Sequence, residues 1–224
     1  MSKTDVSRRQ FVVGATSLTG LTIAGCTPPD GSTGTLGLKG SGSSFALNYK
    51  ALPKEKFPIP AVKSAHLHPR FRRKTVKYQT KEPVGSLIVD TKKFYLYHVK
   101  PGGLATRYGV GLGRAGFEWS GRAHVRWKRA WPTWTPPAEM IEREPSLAKW
   151  SAENGGMPPG LKNPLGARAL YIFQGNKDTL YRLHGTINPR SIGKAVSSGC
   201  VRLVNQDVIH LFNNVKNGSK IHVI

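Results

Sequence analysis

The chain has 224 residues, 34 Lys or Arg against 12 Asp or Glu, and a net charge of +22. Such an excess draws polyanions in general. Two cysteines allow one disulfide at most, and their placement, taken up below, rules that out.

Residues 1–26 read as an export signal. Ser7-Arg8-Arg9-Gln10-Phe11 is a twin-arginine pattern, and the uncharged run from Phe11 to Gly25 is too short and too rich in Gly, Ser and Thr to span a membrane. The run ends Ile23-Ala24-Gly25-Cys26, small residues before a cysteine, so Cys26 is a candidate for lipidation. Thr27 rather than Asp after it directs the expectation to the outer membrane. The protein is expected in the periplasm or cell envelope, where acidic wall polymer or anionic lipid is the expected polyanion and nucleic acid is not. Cys26 belongs to the leader, which leaves Cys200 without a disulfide partner. A lone thiol in an oxidising compartment points to chemistry.

Residues 27–83 read as a Gly/Ser-rich tether followed by a basic, partly extended arm from Lys50 to Lys81, interrupted by Pro53, Pro58, Pro60 and Pro69. Phe57, Phe71 and Tyr78 are the residues that would dock this arm. His66 and His68 lack a nearby carboxylate or thiol and read as a solvated pair, so no metal and no cofactor is expected.

Residues 84–224 are enough for one core and carry 20 Lys or Arg against 8 acidic residues. Alternating or aromatic-rich runs predict strands at Ser86–Asp90, Phe94–Val99, Arg107–Gly111, Ala123–Trp127, Ala169–Phe173, Leu180–His184 and Ser219–Ile224. Turn signals lie at Thr91-Lys92-Lys93, Pro101-Gly102-Gly103 and Gly175-Asn176. The expected fold is mainly β, a sandwich or partly closed barrel. Val208, Leu211, Phe212 and Val215 fall on one helical face, with Asn205 as N-cap, Asp207 in the first turn and Gly218 past the end. A shorter helix is predicted between Ala138 and Trp150. The stretch from Trp131 to Leu165 is otherwise proline-rich and long for a connection in a compact domain.

The chemistry concentrates in two short motifs. Ser197-Ser198-Gly199-Cys200-Val201-Arg202 places a thiol among small residues, which let a carbonyl reach the sulfur and nearby backbone N–H groups. Sixteen residues upstream, His184-Gly185-Thr186 ends a predicted strand. An imidazole or a cation beside a thiol eases its ionisation near neutral pH.

These motifs resemble those of the L,D-transpeptidases of the bacterial cell wall, the YkuD-like family: H-G-T, a variable loop, then S-x-G-C and a hydrophobic residue followed by Arg or Asn. Arg114 to Trp119, Trp131 to Pro137 and Asn163 to Gly166 extend the match to about residues 84–224. The family's frequent histidine before G-C is Ser198 here. The resemblance implies a β-sandwich or barrel with one helix near the C-terminus and a long cleft loop serving as a lid. It implies Cys200 as nucleophile, His184 as base and later acid, and the Gly185 carbonyl orienting the imidazole. Thr186 would fix the loop, and the Gly199 and Cys200 N–H groups would hold the oxyanion. Arg202, Ser198 and Trp134 are the candidate substrate contacts, with Arg202 either holding a carboxylate or bracing the loop. Trp131 is lid packing or substrate platform, and Asn163 and Gly166 read as turn formers.

The implied reaction is acyl transfer from a tetrapeptide stem of peptidoglycan to the side-chain amine of another diaminopimelate, a 3-3 crosslink. An amine of an outer-membrane protein is an alternative acceptor, and with water the same site is a carboxypeptidase. A non-enzymatic wall-binding lipoprotein and a general cysteine peptidase are the rival readings.

Overall fold

The computed structural model describes residues 40–113, 120–197 and 200–224. Eleven strands form one mixed sheet: β1 (Lys74–Lys77), β2 (Leu87–Asp90), β3 (Tyr95–Lys100), β4 (Leu104–Gly109), β5 (Gly111–Gly113), β6 (Gly121–Ala130), β7 (Arg168–Gln174), β8 (Lys177–Thr186), β9 (Ala195–Ser197), β10 (Val201–Val204) and β11 (Lys220–Val223). Their spatial order is β1-β4-β3-β2-β11-β6-β7-β8-β10-β5-β9. β4 and β5 follow one another in the chain with only Val110 between them, yet stand eight places apart in the sheet. The sheet therefore has to fold over on itself, which is the expected sandwich-like, partly closed architecture. Most neighbours are antiparallel, and β2–β11, β8–β10 and β5–β9 are parallel.

Local chemistry sets the hairpins. After β2, the Asp90 carboxylate accepts from the Lys93 N–H at 3.0 Å and pairs with the Lys93 ammonium at 3.1 Å, closing the turn. Gly175-Asn176 joins β7 to β8 in a two-residue turn, with Gln174 opposite Lys177. All seven expected strands are present, with shifted ends. β1, β5, β9 and β10 were not expected. β1 is an exposed edge strand flanked by lysines, the usual protection of an edge, which reads in sequence as a basic coil. β9 and β10 are too short for a period to register.

Between the folded halves lies a core that includes Leu87, Leu96, Tyr108, Leu112, Leu170, Leu183, Leu203 and Ile221, all almost fully buried. Each such side chain contributes roughly 1.5–3 kcal/mol of burial. Three α-helices are described: α1 (Gly40–Asn48), α2 (Ala138–Arg143) and α3 (Asn205–Asn214). α3 turns Val208 and Leu211 into the core as its spacing predicted, with Phe212 partly buried beside them. Asn205 is not its N-cap. Val204 holds that position, and the Asn205 side-chain carbonyl instead accepts from the Ala167 N–H at 3.0 Å.

From Phe45 onward the segment read as tether and basic arm is packed against the sheet and α3, through the three aromatic residues expected to dock it and through others. Tyr49, Ile59, Val62, Leu67 and Phe71 are buried. Phe57 meets Trp131 edge-on at 4.9 Å, Phe71 approaches Tyr95 at 5.8 Å, and Tyr78 stacks on Tyr97 at 4.1 Å. The decisive lock is polar. The Tyr49 hydroxyl donates to Asp207 on α3 at 3.0 Å and accepts from the Arg73 N–H at 2.6 Å, while the Arg73 guanidinium pairs with Asp207 at 3.3 Å. Asp207, expected only as a partner for the helix dipole, is a buried carboxylate holding the arm.

Candidate active site

β8 and β10 carry the candidate residues side by side. Their parallel register pairs Leu183 with Val201 and His184 with Arg202, and Cys200 immediately precedes β10. Two motifs separated by a loop are thus brought together by ladder hydrogen bonds. Ser198, Gly199, the 114–119 motif and Cys26 lie outside the described residues.

His184 is buried, and its ring Nδ1 lies 2.9 Å from the Gly185 carbonyl. A carbonyl only accepts, so Nδ1 carries the proton and Nε2 is the basic nitrogen. Burial lowers the imidazole pKa to about 4, and the Arg202 charge pushes the same way. The Gly185 and Pro164 carbonyls oppose the shift. Cys200 is a free, half-buried thiol. Burial pushes it up, opposed by the Arg182 N–H bonded to it and by the charges of Arg182 and Arg202. The sequence reading has a neighbouring imidazole or cation easing ionisation; the two arginines act that way, and burial acts against them. Both shifts favour a neutral thiol beside a neutral imidazole, because the site is dry enough to penalise either charge.

Gly185 has no room for a side chain. A Cβ there would sit 2.1 Å from the Asn205 side-chain oxygen, and one at Gly166 (φ +62°) would sit 2.5 Å from the same atom. Asn205 thus ties the His184 strand to the Ala167 N–H and to α3. Thr186 accepts from the Asn188 N–H at 3.1 Å, fixing the start of the loop towards Cys200.

Cys200, His184, Thr186 and Arg202 line a cleft of about 600 Å³, walled on the other side by the 131–165 segment through Trp134, Met140, Arg143, Glu144 and Leu147. This segment is organised from below by Asn163, almost fully buried. Its amide donates to the carbonyls of Pro132, Met157 and Pro158 at 3.0–3.1 Å, and its oxygen accepts from the Leu165 N–H at 2.9 Å. Asn163 and Gly166 are thus turn formers, as read. Trp134 is held by a two-way backbone bridge to Met157 and faces the cleft. Trp131 does not line it. Trp131 is buried at φ +46°, donates its indole N–H to Glu55 at 2.9 Å, and packs on the arm.

Arg202 brings two buried guanidinium nitrogens, Nε and Nη2, without a hydrogen-bond partner among the described residues. A guanidinium with spare donors at the wall of the cleft suits an oxyanion. Arg143 and Glu144 were not picked out from the sequence. Glu144 is the one carboxylate lining the cleft among the described residues, and nothing in local sequence distinguishes it from Glu139 or Glu142 on the same lid. No cluster of three or more His, Cys, Asp or Glu suited to a metal occurs among the described residues. His66 accepts from Arg190, and His68 from the Arg70 N–H.

The family model YkuD, the L,D-transpeptidase catalytic domain, matches residues 85–223. Among curated proteins, Probable L,D-transpeptidase ErfK/SrfK of Escherichia coli K12 is 34% identical over 147 residues, covering 62% of this chain and 43% of that protein. Probable L,D-transpeptidase YcfS of the same strain is 33% identical over 150 residues, covering 63% and 44%. The chain thus spans less than half the length of these relatives. A solved structure from Brucella melitensis, described as a Probable carnitine operon oxidoreductase, is 43% identical with a TM-score of 0.49, covering 70% of this chain and 96% of its own. A superposition that loose does not bear on function.

Proposed function

Since this chain belongs to the YkuD family of L,D-transpeptidase catalytic domains, we propose that it transfers acyl groups between peptidoglycan stem peptides through a thioester on Cys200. The observation that carries the reading is the convergence of Cys200, His184 and Arg202 on one lidded cleft, with the imidazole held through Nδ1, which makes Nε2 the basic nitrogen. Attack of the Cys200 sulfur on the peptide carbonyl passes the thiol proton to His184 Nε2. The N–H groups of Cys200 and Gly199 are assigned to the developing oxyanion. Collapse expels the terminal D-Ala amine, which takes the proton from the imidazolium. A diaminopimelate side-chain amine then attacks the thioester, loses a proton to His184, and leaves as a 3-3 crosslinked product with the thiol restored.

Neutral groups at rest suit this scheme, because the charged pair exists only while the reaction needs it. Arg202 is assigned to the donor's carboxylate, Ser198 and Trp134 to further donor contacts, and Glu144 to the incoming ammonium before it loses its proton. Residues 1–26 are assigned to export into the periplasm and cell envelope, with Cys26 as the lipid-bearing residue at the outer membrane. An amine on an outer-membrane protein is a further candidate acceptor.

Disaccharide-tetrapeptide incubated with the purified protein should give, by mass spectrometry, a dimer lacking one D-Ala. Cys200→Ala should give none while melting normally. Dimer formation by the alanine variant at the wild-type rate would remove Cys200 as nucleophile.

A further inference from the structure

Away from the catalytic cleft, a groove of about 950 Å³ runs between two single-turn 3-10 segments of the arm, Ser64–His66 and Pro69–Phe71, and the stretch from Arg190 to Lys194. No residue lines both this groove and the catalytic cleft. Its charged walls are Arg70, Arg72, Arg190 and Lys194, and no carboxylate lines it. None of these four makes an ion pair with a described residue, whereas the fold supplies carboxylates to Arg73, Arg122, Arg168 and Arg182.

The guanidinium groups are nevertheless held in place. Arg70 lies over the Phe71 ring at 4.8 Å, and Arg72 over the Phe45 ring at 4.3 Å. Arg190 donates to His66 Nε2 at 2.8 Å. The backbone beneath them is fixed too, because the Arg70 carbonyl accepts from the Tyr95 hydroxyl at 3.2 Å and from Arg107 at 3.0 Å. The wall opposite closes on Phe71 through Gly193 (φ +80°), where a Cβ would lie 2.1 Å from the ring. Cations gathered in one concavity repel one another, and holding them there without counter-charges makes the groove a prepared site for anions.

We propose that this groove binds a linear polyanion, an unbranched chain with closely spaced phosphate or carboxylate groups, independently of the catalytic cleft. Guanidinium forks match either oxyanion bidentately. A flat bilayer fits less well, because the site is concave and none of the exposed large apolar residues lines it. Recognition of bases is not built in: Phe71 is buried under the Arg70 guanidinium, and of the two imidazoles that line the groove His66 is engaged by Arg190 and His68 accepts from the Arg70 N–H.

The test is fluorescence anisotropy of labelled inorganic polyphosphate and labelled poly-glutamate with the full chain, across a salt series. Arg70→Gln, Arg72→Gln, Arg190→Gln and Lys194→Gln are combined in one variant. A charge-matched control combines Lys92→Gln, Lys149→Gln, Lys162→Gln and Lys177→Gln, all exposed positions elsewhere. Expected for at least one polymer is a tenfold or greater loss in the groove variant, with a log–log salt slope shallower by about 3, and less than a twofold change in the control. Which polymer responds identifies phosphate or carboxylate as the ligand. The single variant Arg190→Glu, which touches one exposed side chain, should weaken binding in the same direction if the combined variant misfolds. Equal losses in both combined variants would reduce the effect to net charge and overturn the proposal. So would unchanged binding in the groove variant, or binding confined to anionic phospholipid vesicles.

Discussion

Tyr49→Phe removes one oxygen atom and tests whether the arm is a structural part of the domain. The hydroxyl is buried and serves two partners 24 and 158 residues away in sequence, the Arg73 N–H at 2.6 Å and the Asp207 carboxylate at 3.0 Å. The phenyl ring still fills its place against Phe45, so little packing is lost. An orphaned buried N–H costs about 1–3 kcal/mol, and a lost hydrogen bond to a carboxylate about 1.5–3 kcal/mol, so a destabilisation of about 3 kcal/mol is expected. For a chain of this size that lowers Tm by roughly 6–12 °C. The effect should depend on pH with a defined sign. Burial raises the Asp207 pKa to about 7, with Arg73 and the Tyr49 hydrogen bond both pulling it down. A carboxyl raised on folding contributes stability that is present below its unfolded pKa near 3.9 and lost as pH rises towards 7. Removing Tyr49's bond raises the folded value further and enlarges that loss, so the gap between wild type and variant is wider at pH 8 than at pH 5. Circular-dichroism melts at both pH values, with Tyr171→Phe as a half-buried control, read this directly. A drop below 2 °C at pH 8, or a wider gap at pH 5, would refute the reasoning.

Iodoacetamide should alkylate Cys200 slowly at pH 7 and faster as pH rises, because burial holds the thiol protonated. Arg202→Met removes a charge that lowers the thiol pKa, so its rate at pH 8 should fall; a faster rate would contradict the electrostatics. Gly185→Ala forces a Cβ to within 2.1 Å of the Asn205 oxygen and should cost at least about 2 kcal/mol in urea unfolding; an unchanged midpoint would mean that this crossing is not tight. Glu144→Gln should leave consumption of tetrapeptide intact while shifting product from crosslinked dimer to hydrolysed tripeptide, measured as a ratio by mass spectrometry. A constant ratio would remove Glu144 from acceptor binding.

The candidate site was legible in the sequence where its chemistry is written locally. Cys200 and His184 sit in short motifs, the core strands alternate cleanly, and the face of α3 shows in the spacing of Val208, Leu211 and Phe212. What escaped depends on contacts between distant segments. Lys50 to Lys81 has the composition of a loose arm, and what makes it part of the fold is contact with distant segments, Arg73 with Asp207, Glu55 with Arg168 and Phe57 with Trp131. Asn205 carries the signature of a helix cap, but its side chain is claimed by Ala167 across the fold. Glu144 is one of several acidic residues on the lid, and its place on the cleft wall follows from how α2, which it caps, is set down. Sequence could not register the neutrality of the resting pair either, because desolvation belongs to the closed cleft and not to the residue types.

β11 has a consequence for how the molecule is made. It is the last strand in sequence but stands in the middle of the sheet, parallel to β2 on one side and antiparallel to β6 on the other. The N–H of Ile224 reaches the Val89 carbonyl at 2.9 Å, and the Ile224 carbonyl accepts from the Thr91 N–H at 2.9 Å. Until β11 arrives, β2 and β6 are two open edges with unpaired donors and acceptors, the kind of surface that recruits other chains. Folding cannot advance steadily behind a growing nascent chain; it waits for its keystone, and that contact spans more than 130 residues. A chain cut short before Lys220 is therefore a prime candidate for aggregation and proteolysis, even though both motifs of the catalytic cleft are already present in it.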